Sequence, residues 1–137
     1  MSRYAVFISA SLGFSEAEDD LRNLELRGHL DADGLLTREV RGCYEGKAET
    51  SFEARMPVGT PAALLIDAVY FYAYIYSQKC VLIVDWDNDR HAFIETNGEP
   101  HVDSHNIDWH EGGLHRVSGK PECDHSFIGG CYYVLSV

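Results

Sequence analysis

Through residue 84 the sequence alternates strand, helix, strand, strand, helix, strand, and few folds close on that order. Tyr4 to Ala10 (YAVFISA) is a short β-branched and aromatic run that reads as a buried strand. Ser15, with Glu18 three residues later, forms a capping box in which hydroxyl and carboxylate each satisfy an orphan amide. Asp19 and Asp20 add negative charge to the first turn, where the helix dipole favours it. A helix over about 16–30 follows. Its apolar stripe is Ala17, Leu21, Leu24 and Gly28, with Leu26 and Leu30 beside it, and Asp31-Ala32-Asp33-Gly34 ends it.

Leu35 to Tyr44 and Ser51 to Val58 read as the next two strands. The polar, glycine-containing connector Glu45-Gly46-Lys47-Ala48 makes them a hairpin. Thr60-Pro61 offers an N-cap with Pro at the first helical position, and the Ala-Leu start that follows carries a helix to about Ser77. Because this helix is apolar nearly all round, it is expected to be buried on two sides, by its own sheet and by a neighbouring subunit. Cys80 to Val84 (CVLIV) is a buried strand, Asp85 to Asp89 an acidic turn, and His91 to Glu95 a partner strand. Residues 96–125 show little periodicity and read as irregular; Ser126 to Val137 closes the chain with a strand-like run. Two helices on one face of a four-stranded antiparallel sheet is the split βαβ, or ferredoxin-like, α+β arrangement. The strands near 91–95 and 131–137 would widen that sheet or pair with another subunit. With no repeat, linker or composition break, residues 1–137 read as a single domain.

Composition narrows the function classes. The 137 residues carry 11 Lys and Arg against 22 Asp and Glu, a net charge of −11. Such a surface repels phosphate, so nucleic-acid binding through a basic patch is not expected, whereas cationic ligands are favoured. An acidic protein can also imitate nucleic acid. The start Met1-Ser2-Arg3-Tyr4 lacks the pattern of a secretory leader, and the longest apolar run, Ala62 to Tyr76, is too short to span a bilayer. A cytoplasmic protein without membrane contact is expected. The four cysteines (Cys43, Cys80, Cys123, Cys131) show no Cys-x-x-Cys pair and read as free thiols.

Metal chemistry is weakly supported. Asp85-Trp86-Asp87-Asn88-Asp89 begins like a calcium loop, but Arg90 and Thr96 stand where Gly and Glu are required. His101, His105, His110, His115 and His125, with Cys123, lack the tight paired spacings of zinc sites and read as exposed loop histidines. No phosphate-binding glycine loop and no nucleophile elbow is present, so neither metal nor cofactor is expected. The more specific signal is the hairpin. Tyr44 and Glu49 flank one short turn, where a half-buried Glu suits an ammonium or sulfonium and Tyr offers a hydroxyl and a cation-attracting ring. An exposed Glu beside a packed Tyr would fit the same residues.

The chain resembles the phage-encoded S-adenosylmethionine lyases, formerly called hydrolases. The resemblance runs through Ile8-Ser9-Ala10, Gly42-Cys43-Tyr44, a Glu before the third strand (Glu49), Gln78-Lys79-Cys80-Val81-Leu82 and the terminal Gly130-Cys131-Tyr132. The connector from Tyr44 to Glu49 is shorter than in the family pattern, which leaves Glu45 and Glu53 as alternatives. The resemblance implies a ferredoxin-like, P-II-like subunit in a homotrimer with sites between subunits. It also implies cleavage of S-adenosylmethionine to 5′-methylthioadenosine and L-homoserine lactone, and an anti-restriction role in a phage host's cytoplasm. On that basis Glu49 would take the substrate ammonium and Tyr44 would orient the amino-acid end. Ser9, Ser11, Gln78 and Glu95 would line the same edge. The competing expectation is a non-catalytic acidic protein, either a nucleic-acid mimic or a P-II-like ligand sensor.

Overall fold

A computed structural model describes residues 3–104 and 106–135, with Tyr44 described by its backbone alone. The element order is β1 (Tyr4–Ile8), α1 (Glu16–Ala32), β2 (Leu36–Tyr44), β3 (Lys47–Arg55), α2 (Ala62–Ile75), β4 (Cys80–Asp85), β5 (Arg90–Glu95), β6 (His110–Glu111), β7 (Leu114–Val117), β8 (His125–Ile128) and β9 (Cys131–Leu135). Over the described residues the protein is α+β, with two helices and one nine-stranded antiparallel sheet in the order β6-β5-β4-β1-β3-β2-β8-β9-β7. Among the described residues no helix is long and apolar enough to cross a membrane.

Both helices cover one face. Val6, Ile8, Phe52, Val81 and Ile83 of the central strands pack with Leu26 and Leu30 of α1 and with Leu65, Ile66 and Val69 of α2. Burying each such side chain contributes about 1.5–3 kcal/mol. The Ser15 hydroxyl accepts the Glu18 N–H at 3.2 Å, as a capping residue should. The expected stripe of α1, however, points the other way: Leu21 and Leu24 are 59% and 69% exposed, and Asn23, Leu26 and Leu30 face the sheet instead. The cause is Asn23, whose Oδ1 accepts the Ala10 N–H (2.8 Å) and whose Nδ2 donates to the Ser11 hydroxyl (2.8 Å). Helix α2 likewise turns Leu64, Phe71 and Ile75 outward. Its N-cap is Pro61 rather than Thr60, whose hydroxyl instead donates to the Pro57 carbonyl at 2.7 Å.

The hairpin between β2 and β3 is tighter than its four-residue connector suggested. Glu45 and Gly46 both take positive φ (52° and 78°), the two-residue turn whose twist matches the flanking strands. Lys47 to Thr50 therefore belong to β3, and Gly42 pairs with Glu49.

Residues 96–125, expected to be irregular, contain β6 and β7, and these shape the helix-free face. β6 and β7 are the two edges of the sheet, yet only Gly112 and Gly113 separate them. The sheet therefore curls until its edges meet at the β4–β5 turn. There the Gly112 N–H donates to the Asp89 carbonyl (2.8 Å) and the Gly113 N–H to the Asp89 carboxylate (3.0 Å). A Cβ at position 113 would lie 3.2 Å from that carboxylate, closer than ordinary contact, so glycine eases the approach. Inside the curl a second core forms, in which Leu114, Ile128, Tyr133 and Leu135 pack over Ala5, Phe7, Val40 and Val84. The C-terminal strands thus widen the sheet and fold over its open face.

Candidate active site

Strand alternation decides which side chains look into the curl. On β3 these are Glu49, Ser51, Glu53 and Arg55, and their surroundings differ sharply along the strand. Glu53 is 3% exposed and is held by Arg38 (3.0 Å) and Arg55 (3.2 Å). Asp85, fully buried at the same end, is held by Arg3 (3.2 Å) and Arg90 (2.8 Å), with Asn88 donating at 3.0 Å. Burial alone would raise the Asp85 carboxyl, but the Asn88 and Arg90 hydrogen bonds and the Arg3 charge together hold it below its ordinary value.

At the other end of the face lies a cavity of about 790 Å³. Ser9, Glu49, Ser51, Gln78 and Cys80 line one polar side and Asp124, His125 and Ser126 another; Phe7, Leu82, Phe93, Leu114, Tyr133 and Leu135 form its apolar wall. No Lys or Arg is among the described residues that line it. Glu49 is half-buried, and burial pushes its carboxyl above the ordinary value; a hydrogen bond with Ser9 opposes this and the Asp19 charge adds to it. No salt bridge reaches Glu49 among the described residues, in contrast to the double clamps on Glu53 and Asp85. The Cys80 thiol is also pushed up, by burial and by the charges of Glu95 and Glu49, so it is not a thiolate at neutral pH.

The remaining expected residues divide by position. Gln78 spends both amide hydrogens, on the carbonyls of Ser11 (3.0 Å) and Tyr76 (3.1 Å), which leaves its oxygen as acceptor. Ser11 does not line the cavity; its N–H donates to the Ser9 hydroxyl (3.0 Å) and its carbonyl braces Gln78. Glu95 is exposed, opposite Cys80 in the β4–β5 register, outside the lining. Of the three candidate glutamates only Glu49 lines the cavity. Glu45 sits in the turn, where its N–H donates to the Asp124 carboxylate (2.9 Å), and Glu53 is occupied by its arginines. Tyr44 pairs with Lys47 beside that turn; its side chain lies outside the described residues.

The histidines behave as individuals. His125 is buried, with its Nδ1 2.9 Å from the Cys123 carbonyl, rather than exposed in a loop. His91 stacks on His110, His115 lies 3.6 Å from Asp89, and His105 is outside the described residues. Among the described residues no three metal-ligating side chains come together. The lining residues missed in the sequence are Phe7, Leu82, Phe93, Leu114, Asp124, Ser126 and Tyr133 to Leu135, together with Ser51; Asn23, which sets the face of α1, was missed as well. For Ser51 a signal existed, because it shares the strand parity of Glu49.

Two carboxylates, Glu49 and Asp124, and no Lys or Arg among the described residues line the cavity, a chemistry suited to cationic organic molecules. Over residues 6–135 the sequence matches the S-adenosylmethionine lyase family, and the chain belongs to that family. No curated protein matches it. The family's substrate is itself a cationic organic molecule, a sulfonium.

Proposed function

We propose that this chain cleaves S-adenosylmethionine to 5′-methylthioadenosine and L-homoserine lactone by attack of the substrate's own carboxylate. The observation that carries this is Glu49, a half-buried carboxylate without a protein cation, facing an apolar wall within one cavity. Glu49 takes the substrate ammonium, Tyr44 orients the amino-acid end, and Ser9 and Gln78 supply further polar contacts. Ser11 braces Gln78, and Glu95 adds negative potential at the margin.

The chemistry asks for little more. A carboxylate oxygen bonds to Cγ as the Cγ–S bond breaks, and that electron pair stays on sulfur. Carboxylate and sulfonium charges vanish together, no proton moves, and the ammonium is unchanged. Holding the methionine chain folded supplies the orientation that makes ring closure fast. The apolar wall disfavours the charge-separated ground state relative to the transition state. A lining without Lys or Arg leaves the attacking carboxylate unneutralised.

The same reading includes a single ferredoxin-like domain, supported by the β4-β1-β3-β2 order at the centre of the sheet with both helices on one face. It also includes a homotrimer with sites between subunits, supported by the outward Leu21, Leu24, Leu64 and Phe71. Draining the methyl donor would disarm host restriction in the cytoplasm of a phage-infected cell. Incubation with S-adenosylmethionine in ¹⁸O-water, followed by mass spectrometry, tests the reaction. Methylthioadenosine with unlabelled lactone is expected. Intact substrate would point instead to a non-catalytic mimic or sensor, and an ¹⁸O label in freshly formed product to hydrolysis.

A further inference from the structure

The cavity holds a second carboxylate that the reaction above leaves without a role. Asp124 stands where the chain enters β8, and the tight β2–β3 turn fixes it. The Glu45 N–H donates to its Oδ1 at 2.9 Å, while its Oδ2 has no partner among the described residues. No salt bridge reaches Asp124 among those residues either. Both carboxylates line the cavity, but in different company. Glu49 stands with Ser9, Ser51 and the oxygen of Gln78, groups that can accept the N–H donors of an ammonium. Asp124 lies toward β9, whose Tyr133, Val134 and Leu135 also belong to the lining. With β2 between them, β3 and β8 run roughly 10 Å apart, and the one cavity lies against both.

We infer that Asp124 is the specificity-determining carboxylate that recognises the sulfonium of the substrate. This rests on the reaction proposed above. S-adenosylmethionine carries two positive centres, an ammonium and a sulfonium, and the cavity offers two carboxylates without a protein cation. The ammonium brings N–H donors and goes to the hydrogen-bonding side at Glu49. A sulfonium has none; its charge is spread over sulfur and the attached carbons, which suits a carboxylate beside an apolar wall. The attraction is strongest before reaction, because the sulfonium charge fades as the Cγ–S bond breaks. An interaction of that kind contributes affinity for the charged substrate without quickening the chemical step. Methylthioadenosine, which has lost the charge, is released more readily.

The test uses two nucleosides that lack the amino-acid end: 5′-methylthioadenosine and its 5′-dimethylsulfonium analogue, which differs by one methyl and one positive charge. Calorimetry gives both binding constants for wild type, Asp124→Asn and Glu49→Gln. Asp124→Asn keeps an oxygen to accept the Glu45 N–H, so the turn is retained. Wild type and Glu49→Gln should prefer the sulfonium by about fivefold, the scale of one solvent-accessible charge pair, and Asp124→Asn should bind the two alike. In Asp124→Asn the KM for S-adenosylmethionine should rise by a similar factor while kcat does not fall. No preference in wild type overturns the inference, as does a preference that Asp124→Asn retains or that Glu49→Gln loses. Should Asp124→Asn not fold, wild type and Glu49→Gln still decide it. If wild type prefers the sulfonium analogue yet leaves S-adenosylmethionine intact, the proposed reaction has failed while cation recognition at Asp124 has not.

Discussion

Glu49 and Glu53 lie four residues apart on one strand and face the same side of one sheet, yet they live under opposite electrostatic rules. Glu53, like Asp85 two strands away on the opposite face, is enclosed by two arginines that repay its desolvation. Glu49 has a serine hydroxyl, a neighbouring negative charge and a cavity. In a protein of net charge −11, four arginines, Arg3, Arg38, Arg55 and Arg90, are placed at the buried carboxylates of Asp85 and Glu53. The contrast separates a carboxylate that holds the fold together from one kept available for a cation from outside.

The sharpest break between the two ends is expected from Asp85→Asn. It strands the Arg3 and Arg90 charges against a buried amide and should cost about 3–5 kcal/mol of stability by denaturant unfolding. Substrate affinity of the remaining folded fraction should be unchanged. Glu49→Gln should do the reverse. Loss of the ammonium's counter-charge is expected to lower kcat/KM by about a hundredfold, within the 2–5 kcal/mol typical of a broken charge pair, with the fold intact. An equal loss of stability in both variants would erase the distinction.

The pH dependence sharpens it further. Because burial raises the Glu49 carboxyl above 4.5, its ordinary value, the acid limb of kcat/KM should lie above that value. The limb should disappear in Glu49→Gln. Stability carries the opposite sign at the two ends. A raised carboxyl stabilises the fold below its unfolded value, and that contribution is lost as pH climbs through the folded one. The lowered Asp85 contributes above 3.8, its ordinary value, and fails as pH falls through its folded value. The smallest effect follows from this. At neutral pH, Glu49→Gln should be more stable than wild type, readable as a small rise in melting temperature.

Local signals made much of the fold legible. The Ser15 cap, the CVLIV strand and the glycine of the hairpin each act over a few residues, and the elements up to residue 95 follow from them. The curl could not be read, because a two-residue strand such as β6 has no periodicity and its pairing with β5 is set by the Asp89–Gly113 closure at long range. The inverted face of α1 was hidden for a related reason: one buried asparagine, bonded to Ala10 and Ser11, outweighs the stripe of leucines. At the site, Ser9, Glu49 and Gln78 come from segments that local patterns describe, and they line the cavity. Its opposite wall, from Leu114 to Leu135, comes from the stretch where those patterns fail. Ser11 and Glu95 share the parity of the lining residues Ser9 and Phe93 but lie outside the lining, Ser11 beyond the end of β1 and Glu95 at the last position of β5.

The central claim is that Glu49 is held without a counter-cation so that a substrate ammonium can supply one. Following the Glu49 carboxyl carbon by ¹³C NMR through a pH titration, free and with S-adenosylhomocysteine bound, measures this directly. The free protein should titrate above 4.5 and the complex well below the free protein, while 5′-methylthioadenosine, which has no ammonium, should leave the midpoint where it was. A midpoint that S-adenosylhomocysteine binding does not move would show that the cation goes elsewhere.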